Sequence, residues 1–335
     1  MTPDPAADET LRLRVQAIKY LGAYINAYEL VDPDGGDLPP FTPGAHVDLY
    51  FRDGRVRQYS LCNDPAERHR YVIAVLRVAD GRGGSKAIFD VVHIGRILAL
   101  SRPRNHFPLI EDAARYLFIA GGIGITPIMS MLYRLRDIGS DFILHFCTRS
   151  PEVTTFRDEL ADWVADGRAI VHHDDGDPAK GLDIQALLET HEPGTQLYYS
   201  GPTGMMRAAV KASEHWPKGS VHFEYFAPPD EPRAVPSDIM AADDGDAIGV
   251  GFQIKLAKSG AIYDVPNDKS IVEVLRENGV EVRTSCEAGI CRTCATTFLD
   301  GTPDHKDYIL EDDEKENTIL ICCSRSETPT LVLDL

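Results

Sequence analysis

CEAGICRTC, residues 286–294, followed after 27 intervening residues by the adjacent pair Cys322-Cys323, sets the reading of the C-terminal part of the chain. The spacing Cys286-x4-Cys291-x2-Cys294…Cys is the plant-type arrangement for a [2Fe–2S] cluster, in which four thiolates hold two irons. A compact loop must present three of those thiolates from one side. Gly289 allows close backbone approach there, so N–H groups can reach the sulfurs. Structural zinc and a redox-active Cys-x2-Cys pair are the alternatives. Zinc sites usually combine Cys-x2-Cys with a second such pair or with histidines, and here the two later cysteines are neighbours. Adjacent residues on a strand point to opposite faces, so one of Cys322 and Cys323 is expected to ligate, and chemistry alone does not say which. Cys62 and Cys147 read as buried core thiols.

Five of the seven cysteines lie in the last fifty residues, which suits a metal centre better than a disulfide framework. The 335-residue chain is long enough for two or three domains and has the 43% hydrophobic, 26% charged composition of a globular protein. Its net charge of −18 repels phosphate backbones and anionic lipid, so neither nucleic acid nor membrane is an expected partner. The start, MTPDPAADET, lacks the basic and apolar regions of a secretory signal, and a cytoplasmic location is expected. The longest apolar stretch, 116–132, is interrupted by glycines and a proline and is too short to span a bilayer.

Three domains and a linker are expected. Residues 1–108 contain short apolar runs separated by Gly, Pro and Asp, which predict an antiparallel barrel or sandwich. Residues 109–228 alternate strand-like runs (YLFIA, DFILHFC, AIVHH, QLYYS, VHFEYF) with helical patterns at 127–135, 156–165 and 205–215. That alternation predicts an α/β doubly wound parallel sheet. Residues 229–248, with six acids and one base, have linker composition. Residues 249–335, net −7, predict a small domain with a strand pair, a helix at 270–278 and the cysteine loop.

GGIGITP, 121–127, follows a strand and opens a helix, so backbone N–H groups and a helix N-terminus can meet a pyrophosphate there. It is not the full G-x-G-x-x-G fingerprint, and a tight structural turn is the plainer alternative. YYSGPTGMM, 198–206, ends a second strand, and both turns would lie at the carboxyl ends of parallel strands, where ligands bind such sheets. In RQYSL, 57–61, Arg57 suits a phosphate, Tyr59 offers a ring and a hydroxyl, and Ser60 a hydrogen bond to a ring nitrogen. Arg57 and Tyr59, two apart, share a strand face. In GRGGSK, 81–86, the glycine amides can form an anion nest, with Lys86 adding charge. Taken singly, each of these motifs also reads as an ordinary strand or loop.

In this order, RQYSL, GRGGS, PRNHFPL, GGIGITP, SGP, HFEYF and the cysteine pattern resemble the phthalate dioxygenase reductase family, FMN and [2Fe–2S] members of the ferredoxin–NADP⁺ reductase superfamily. The resemblance covers essentially the whole chain. It implies an antiparallel β-barrel flavin domain, an α/β NAD domain and a C-terminal α+β, plant-type ferredoxin (β-grasp) domain. It implies that Arg57, Tyr59 and Ser60 hold the flavin and that Gly83, Gly84 and Ser85 lie at its phosphate. Gly121, Gly122, Gly124, Thr126, Pro127 and Gly201 would line the NADH site, and Phe226 would cover the isoalloxazine. Ser60, Thr126, Ser200 and Phe226 would stand at the reacting centre. The metal ligands would be Cys286, Cys291, Cys294 and Cys322, because the family's last cysteine precedes x-Ser-Arg, here Cys323-Ser324-Arg325. Two departures stand out. The family usually has Cys-Gly-Pro where this chain has Ser200-Gly201-Pro202, which bears on hydride-transfer efficiency. Arg292 occupies a position where the ligand loop usually has glycine; a solvated guanidinium, contact with an acidic partner and a raised cluster potential are the three expectations for it.

The resulting expectation is a monomeric, NADH-dependent reductase passing electrons from NADH through FMN and the cluster to a Rieske-type oxygenase or demethylase. A ferredoxin-like carrier and an FAD enzyme using NADPH are the rivals. Arg149 and Ser150 are candidates for a 2′-phosphate, whereas Asp174 and Asp175 favour a ribose diol. His172, His173, Asp174 and Asp175 form the richest donor cluster elsewhere, but neighbours on a strand face opposite ways and argue against a metal site.

Overall fold

The computed structural model describes residues 10–78, 83–226 and 251–335; the expected linker at 229–248, and Gly81 and Arg82 of the glycine motif, lie outside them. Alternating apolar residues build the first sheet. Strands β1 (Thr10–Gly22), β2 (Ile25–Val31), β3 (His46–Tyr50), β4 (Val56–Ser60), β5 (Tyr71–Leu76) and β6 (Ile97–Ser101) pair antiparallel in the order β4-β3-β6-β1-β2-β5. The ring closes where β4 ends: Leu61 bridges Ile73, and Cys62 N–H donates to Val72 O at 2.9 Å. Of the barrel and sandwich readings, the barrel is therefore the one formed. Leu13, Val15, Tyr28, Leu30, Val47 and Leu49 point inward and are buried. Helix α1 (Gly84–Val91) was not expected from the glycine motif; Ile88 on its apolar face enters the barrel core.

The next segment follows the predicted alternation: β7 (Arg115–Gly121), α2 (Ile125–Ile138), β8 (Phe142–Thr148), α3 (Arg157–Ala165), β9 (Ala169–His173), α4 (Ile184–Leu188), β10 (Thr195–Ser200), α5 (Thr203–Ala212) and β11 (Val221–Glu224). The strands run parallel in the order β11-β10-β7-β8-β9. Residues of opposite parity bury against opposite helices. Phe118, Ala120, Leu144 and Phe146 share a core with Ile128 and Leu132 of α2, while Ile119, Leu197 and Tyr199 meet Leu188 of α4 and Met206 of α5. Strand order reverses direction at β7, which places a crevice at the carboxyl ends of β7 and β10. The core under α2 continues into the barrel wall through Leu21, Ile25, Ala27, Cys62 and Ala74. Barrel and parallel sheet thus form one compact unit, Met1–Phe226, and Ala227–Leu335 forms a second.

In the second unit, β12 (Phe252–Leu256), β13 (Ile262–Val265), α6 (Ile271–Glu277), β14 (Ala295–Asp300), β15 (Pro303–Asp304), β16 (Thr318–Leu320), β17 (Arg325–Ser326) and β18 (Thr330–Leu333) follow one another. The main sheet has the order β13-β12-β18-β14-β16, with β12 and β18 parallel. A capping box starts α6: Ser270 Oγ accepts from Glu273 N–H, and the Glu273 carboxylate accepts from Ser270 N–H at 2.7 Å. Ile271, Val272, Val274 and Leu275 then pack the helix onto the sheet.

Candidate active site and metal centre

The loop 286–294 connects the α6 region to β14, and Cys322 follows β16, so the fold brings the distant cysteine to the loop. Cys286 lies against Cys291, and Cys322 lies against both Cys294 and Cys323. Shared protons hold two of the sulfurs down: Cys291 is lowered by Cys286, and Cys322 by Cys294 and then by Cys323. Backbone amides also face the sulfurs. Cys286 N–H donates to Cys291 Sγ and Ala288 N–H to Cys286 Sγ, both at 3.4 Å, and Gly289 N–H faces Cys322. Thiols gathered in this way, with amides on their sulfurs, fit a two-iron cluster, which needs two thiolates per iron. Cys323 lies close by: its thiol points toward Leu320 O at 3.6 Å, and a Cβ on Gly289 would come within 2.8 Å of its sulfur.

The two turns of the parallel sheet meet back to back. A Cβ on Gly124 would stand 2.3 Å from Ser200 O, one on Gly121 2.5 Å from Pro202 Cδ, and one on Gly201 2.9 Å from Gly121 Cα. These glycines thus have a packing reason that the motif alone did not reveal. Gly122 differs: its φ is 52° and nothing lies within 4 Å of its Cβ position, so it faces open space. Thr126 is buried and its hydroxyl donates to Ile123 O at 3.0 Å, which leaves it only an acceptor role toward a ligand. Pro127 is buried in the first turn of α2. Ser200 is fully buried, and its hydroxyl has no hydrogen-bond partner among the described residues.

Beside Ser200 the structure places a residue that the sequence reading passed over. Glu224 is the register partner of Ser200 on the neighbouring strand, and Ser60 Oγ, from the end of β4, approaches its carboxylate at 3.5 Å. Burial pushes the Glu224 carboxyl up to about 8, against the opposing pull of the Ser60 hydrogen bond. Its neighbour in HFEYF, Phe226, drew attention as an aromatic; a lone acid in an apolar strand was the overlooked signal. Phe226 itself is 41% exposed at the end of the described unit. Behind Ser60, its register partner His46 is buried, with neither ring nitrogen partnered among the described residues, and burial holds its pKa well below the usual histidine range.

Gly83, in left-handed backbone with φ 77°, precedes α1 and turns Gly84 and Ser85 into its N-terminus. A Cβ on Gly84 would lie 2.7 Å from Arg57 Cγ, and one on Gly83 2.7 Å from Arg55 Nη1. The Arg57 side chain, the Arg55 guanidinium that also pairs with Asp53, and the N–H groups of a helix start therefore meet in one place, a fit for a phosphate. Arg55 is the member that the motif reading missed. Tyr59 is partly buried and packs one side against the barrel core. Cys62 is buried, with its thiol donating to Val72 O at 3.2 Å, and burial pushes the Cys147 thiol up to about 12, so both behave as core residues. In the histidine-rich segment, His172 pairs with His145 at 3.0 Å and His173 with Thr148 Oγ1 at 3.0 Å, side chains turned to different partners.

Residues 118–211 match the oxidoreductase NAD-binding domain model, and 254–327 match the 2Fe-2S iron-sulfur cluster binding domain model. The chain is 41% identical to phthalate dioxygenase reductase of Burkholderia cepacia over 99% of both chains. The chain belongs to the phthalate dioxygenase reductase family. It is also 56% identical, over 97% of its length and 96% of the relative's, to the reductase subunit of a tert-butanol monooxygenase / tert-amyl alcohol desaturase from Aquincola tertiaricarbonis. A solved phthalate dioxygenase reductase, described as a modular structure for electron transfer from pyridine nucleotides to [2Fe–2S], superposes with a TM-score of 0.72 at 40% identity and 99% coverage of each chain. Like other members of the phthalate dioxygenase reductase family, the protein is an NADH-dependent iron–sulfur flavoprotein reductase that uses FMN and a [2Fe–2S] cluster and serves an oxygenase. Among its described residues no helix is long and apolar enough to cross a membrane.

Proposed function

We propose that this reductase acts as a monomer and delivers electrons to a Rieske-type oxygenase or demethylase acting on a small organic substrate. The observation that carries the assignment of residues is the row Ser60–Glu224–Ser200 at the switch point of the nucleotide sheet, where barrel and sheet meet. We place the barrel at 1–108, the NADH domain at 109–228 and the ferredoxin domain at 249–335.

Bound FMN supplies the conversion of a two-electron hydride donor into single electrons for the cluster. The chain's own residues do the rest. Arg57 and the Gly83–Gly84–Ser85 amides hold the phosphate end of the flavin, with Arg55 beside them. Tyr59 and Ser60 would orient its ring, and Phe226 would supply an aromatic cover for it. Gly122 leaves its amide open to the pyrophosphate, while Gly121, Gly124, Thr126, Pro127 and Gly201 shape the floor beneath it. Ser200 offers the nicotinamide a hydroxyl with no competing partner. Glu224, its carboxyl raised to about 8, would offer a hydrogen-bond donor beside Ser200 without placing a negative charge there. Asp174 and Asp175, at the ends of β8 and β9, suit a ribose diol better than a 2′-phosphate and support NADH over NADPH. Cys286, Cys291, Cys294 and Cys322 hold the cluster, with Cys323 free.

Stopped-flow mixing of the holoprotein with NADH tests the route. The flavin band should bleach without a second protein, and the cluster band should follow. Reoxidation should then require an oxygenase partner. Flavin bleaching only with NADPH, or transfer to the oxygenase that persists in a protein ending at residue 228, would overturn the assignment.

A further inference from the structure

The ligand loop contains three residues in left-handed backbone: Glu287 (φ 50°), Gly289 (φ 71°) and Arg292 (φ 57°). Only glycine adopts that conformation without steric cost. Both other residues are held by their side chains. Glu287 accepts from Arg276 Nη2 of α6 and from Thr284 Oγ1, each at 2.8 Å. Arg292 donates through Nη1 to the Glu314 carboxylate and through Nη2 to Ile309 O at 2.6 Å. The second oxygen of Glu314 accepts from Glu311 N–H at 2.9 Å, which fixes the acid in turn. The same segment is tied to the loop again by Tyr308 N–H donating to Gly289 O at 3.2 Å. Arg292 is therefore engaged within its own domain rather than simply solvated.

The residue after Arg292 shows what is at stake. Thr293 meets Cys291 Sγ with its hydroxyl at 3.3 Å and turns its N–H to the same sulfur, and Arg292 O accepts from Ala295 N–H at 3.0 Å, so the backbone turn at Arg292 sets Thr293 against a ligand sulfur. Such amides hold thiolates and set cluster potential. We propose that Arg292 is a positioning residue for the cluster: its two-point grip on Glu314 and Ile309 replaces the conformational freedom of glycine and keeps the Thr293 amide on Cys291. The inference rests on the cluster assignment above. A single-point cation would not do the same work, because the fork must reach a carboxylate and a carbonyl together.

The test uses the full-length holoprotein and three readings: cluster bleaching under an iron chelator, the cluster's reduction potential, and amide exchange across 286–294. Arg292→Ala should bleach about tenfold faster and exchange faster at Thr293. Its one-electron equilibrium should move about threefold toward the oxidised cluster, about 28 mV at roughly 59 mV per tenfold. Arg292→Gly should bleach more slowly than Arg292→Ala, since glycine accepts the backbone angle. Glu314→Gln should give a smaller change in the same direction, and Arg292→Ala with Glu314→Gln together should match Arg292→Ala alone. Should Arg292→Ala emerge without a cluster, Glu314→Gln decides by the same readings. Parental lifetimes and potentials in both Arg292→Ala and Glu314→Gln would overturn the proposal, and equal lifetimes for the alanine and glycine variants would overturn its backbone component. A parent protein lacking a [2Fe–2S] spectrum would instead overturn the cluster assignment itself.

Discussion

In the nucleotide sheet, the turns at 121–124 and 200–202 keep their shape by leaving side chains out. Gly124 sits under the Ser200 carbonyl and Gly201 against Gly121, backbone on backbone. In the cluster loop, two of three left-handed positions carry long charged side chains, and ion pairs with Arg276 and Glu314 hold them. Close approach leaves no room for an alternative to glycine, because an added methyl has nowhere to go. Left-handed backbone facing open space does leave room, provided that something fixes the side chain. The first kind of loop is broken by adding atoms and the second by removing them.

The largest effect is expected where the loop's purpose is removed. Cys322→Ser should abolish or distort the visible spectrum of the cluster, and Cys323→Ser should retain it; the reverse pattern would reassign the fourth ligand. Next comes the glycine contact. Gly124→Ala must push a Cβ against Ser200 O and should cost about 2 kcal/mol of stability, measured by thermal unfolding, together with loss of NADH-driven flavin bleaching. Gly122→Ala is the counterpart: open space surrounds its Cβ, so only the backbone angle opposes it, at about 1 kcal/mol.

A smaller effect is expected from pH. The Glu224 carboxyl, raised to about 8, is protonated at neutrality and ionises as pH climbs through 8. Its folded pKa lies above its unfolded value, so its contribution favours the fold at low pH and is lost as pH rises through that window. Flavin bleaching by NADH should fall on the alkaline side, and Glu224→Gln should flatten that limb. An unchanged limb would remove Glu224 from the site. The smallest change is Ser200→Ala. Deleting a buried hydroxyl without a partner should leave stability within about 1 kcal/mol, while NADH turnover drops a few-fold if the hydroxyl serves the nicotinamide.

These positions also show what could be seen in the sequence. Alternation of strands and helices exposed the parallel sheet, and the cysteine spacing exposed the ferredoxin domain, because both are periodic or local signals. Helix α1 stayed hidden behind GRGGSK: it has eight residues, and its packing on the barrel through Ile88 is a tertiary fact. Glu224 was invisible for a similar reason. Its meaning comes from Ser60, 164 residues away, and from burial that no local pattern encodes. The grip of Arg292 on Glu314, 22 residues on, likewise depends on how the chain returns to the loop.

The closing seam of the barrel links ligand retention to local unzipping. Beside Ser60, the ring is joined by the Leu61–Ile73 bridge, the Cys62-to-Val72 hydrogen bond and the Asn63 side chain, whose Oδ1 accepts from Val72 N–H at 2.9 Å. Parting that seam would carry Arg57, Tyr59 and Ser60 away together, since they ride on the strand that it fastens. Flavin that contacts this strand only in the closed state must slow the opening by mass action. Amide protons at Cys62 and Val72 should therefore exchange more slowly as free FMN is raised, so that the wall of the barrel serves as the latch on its own cofactor.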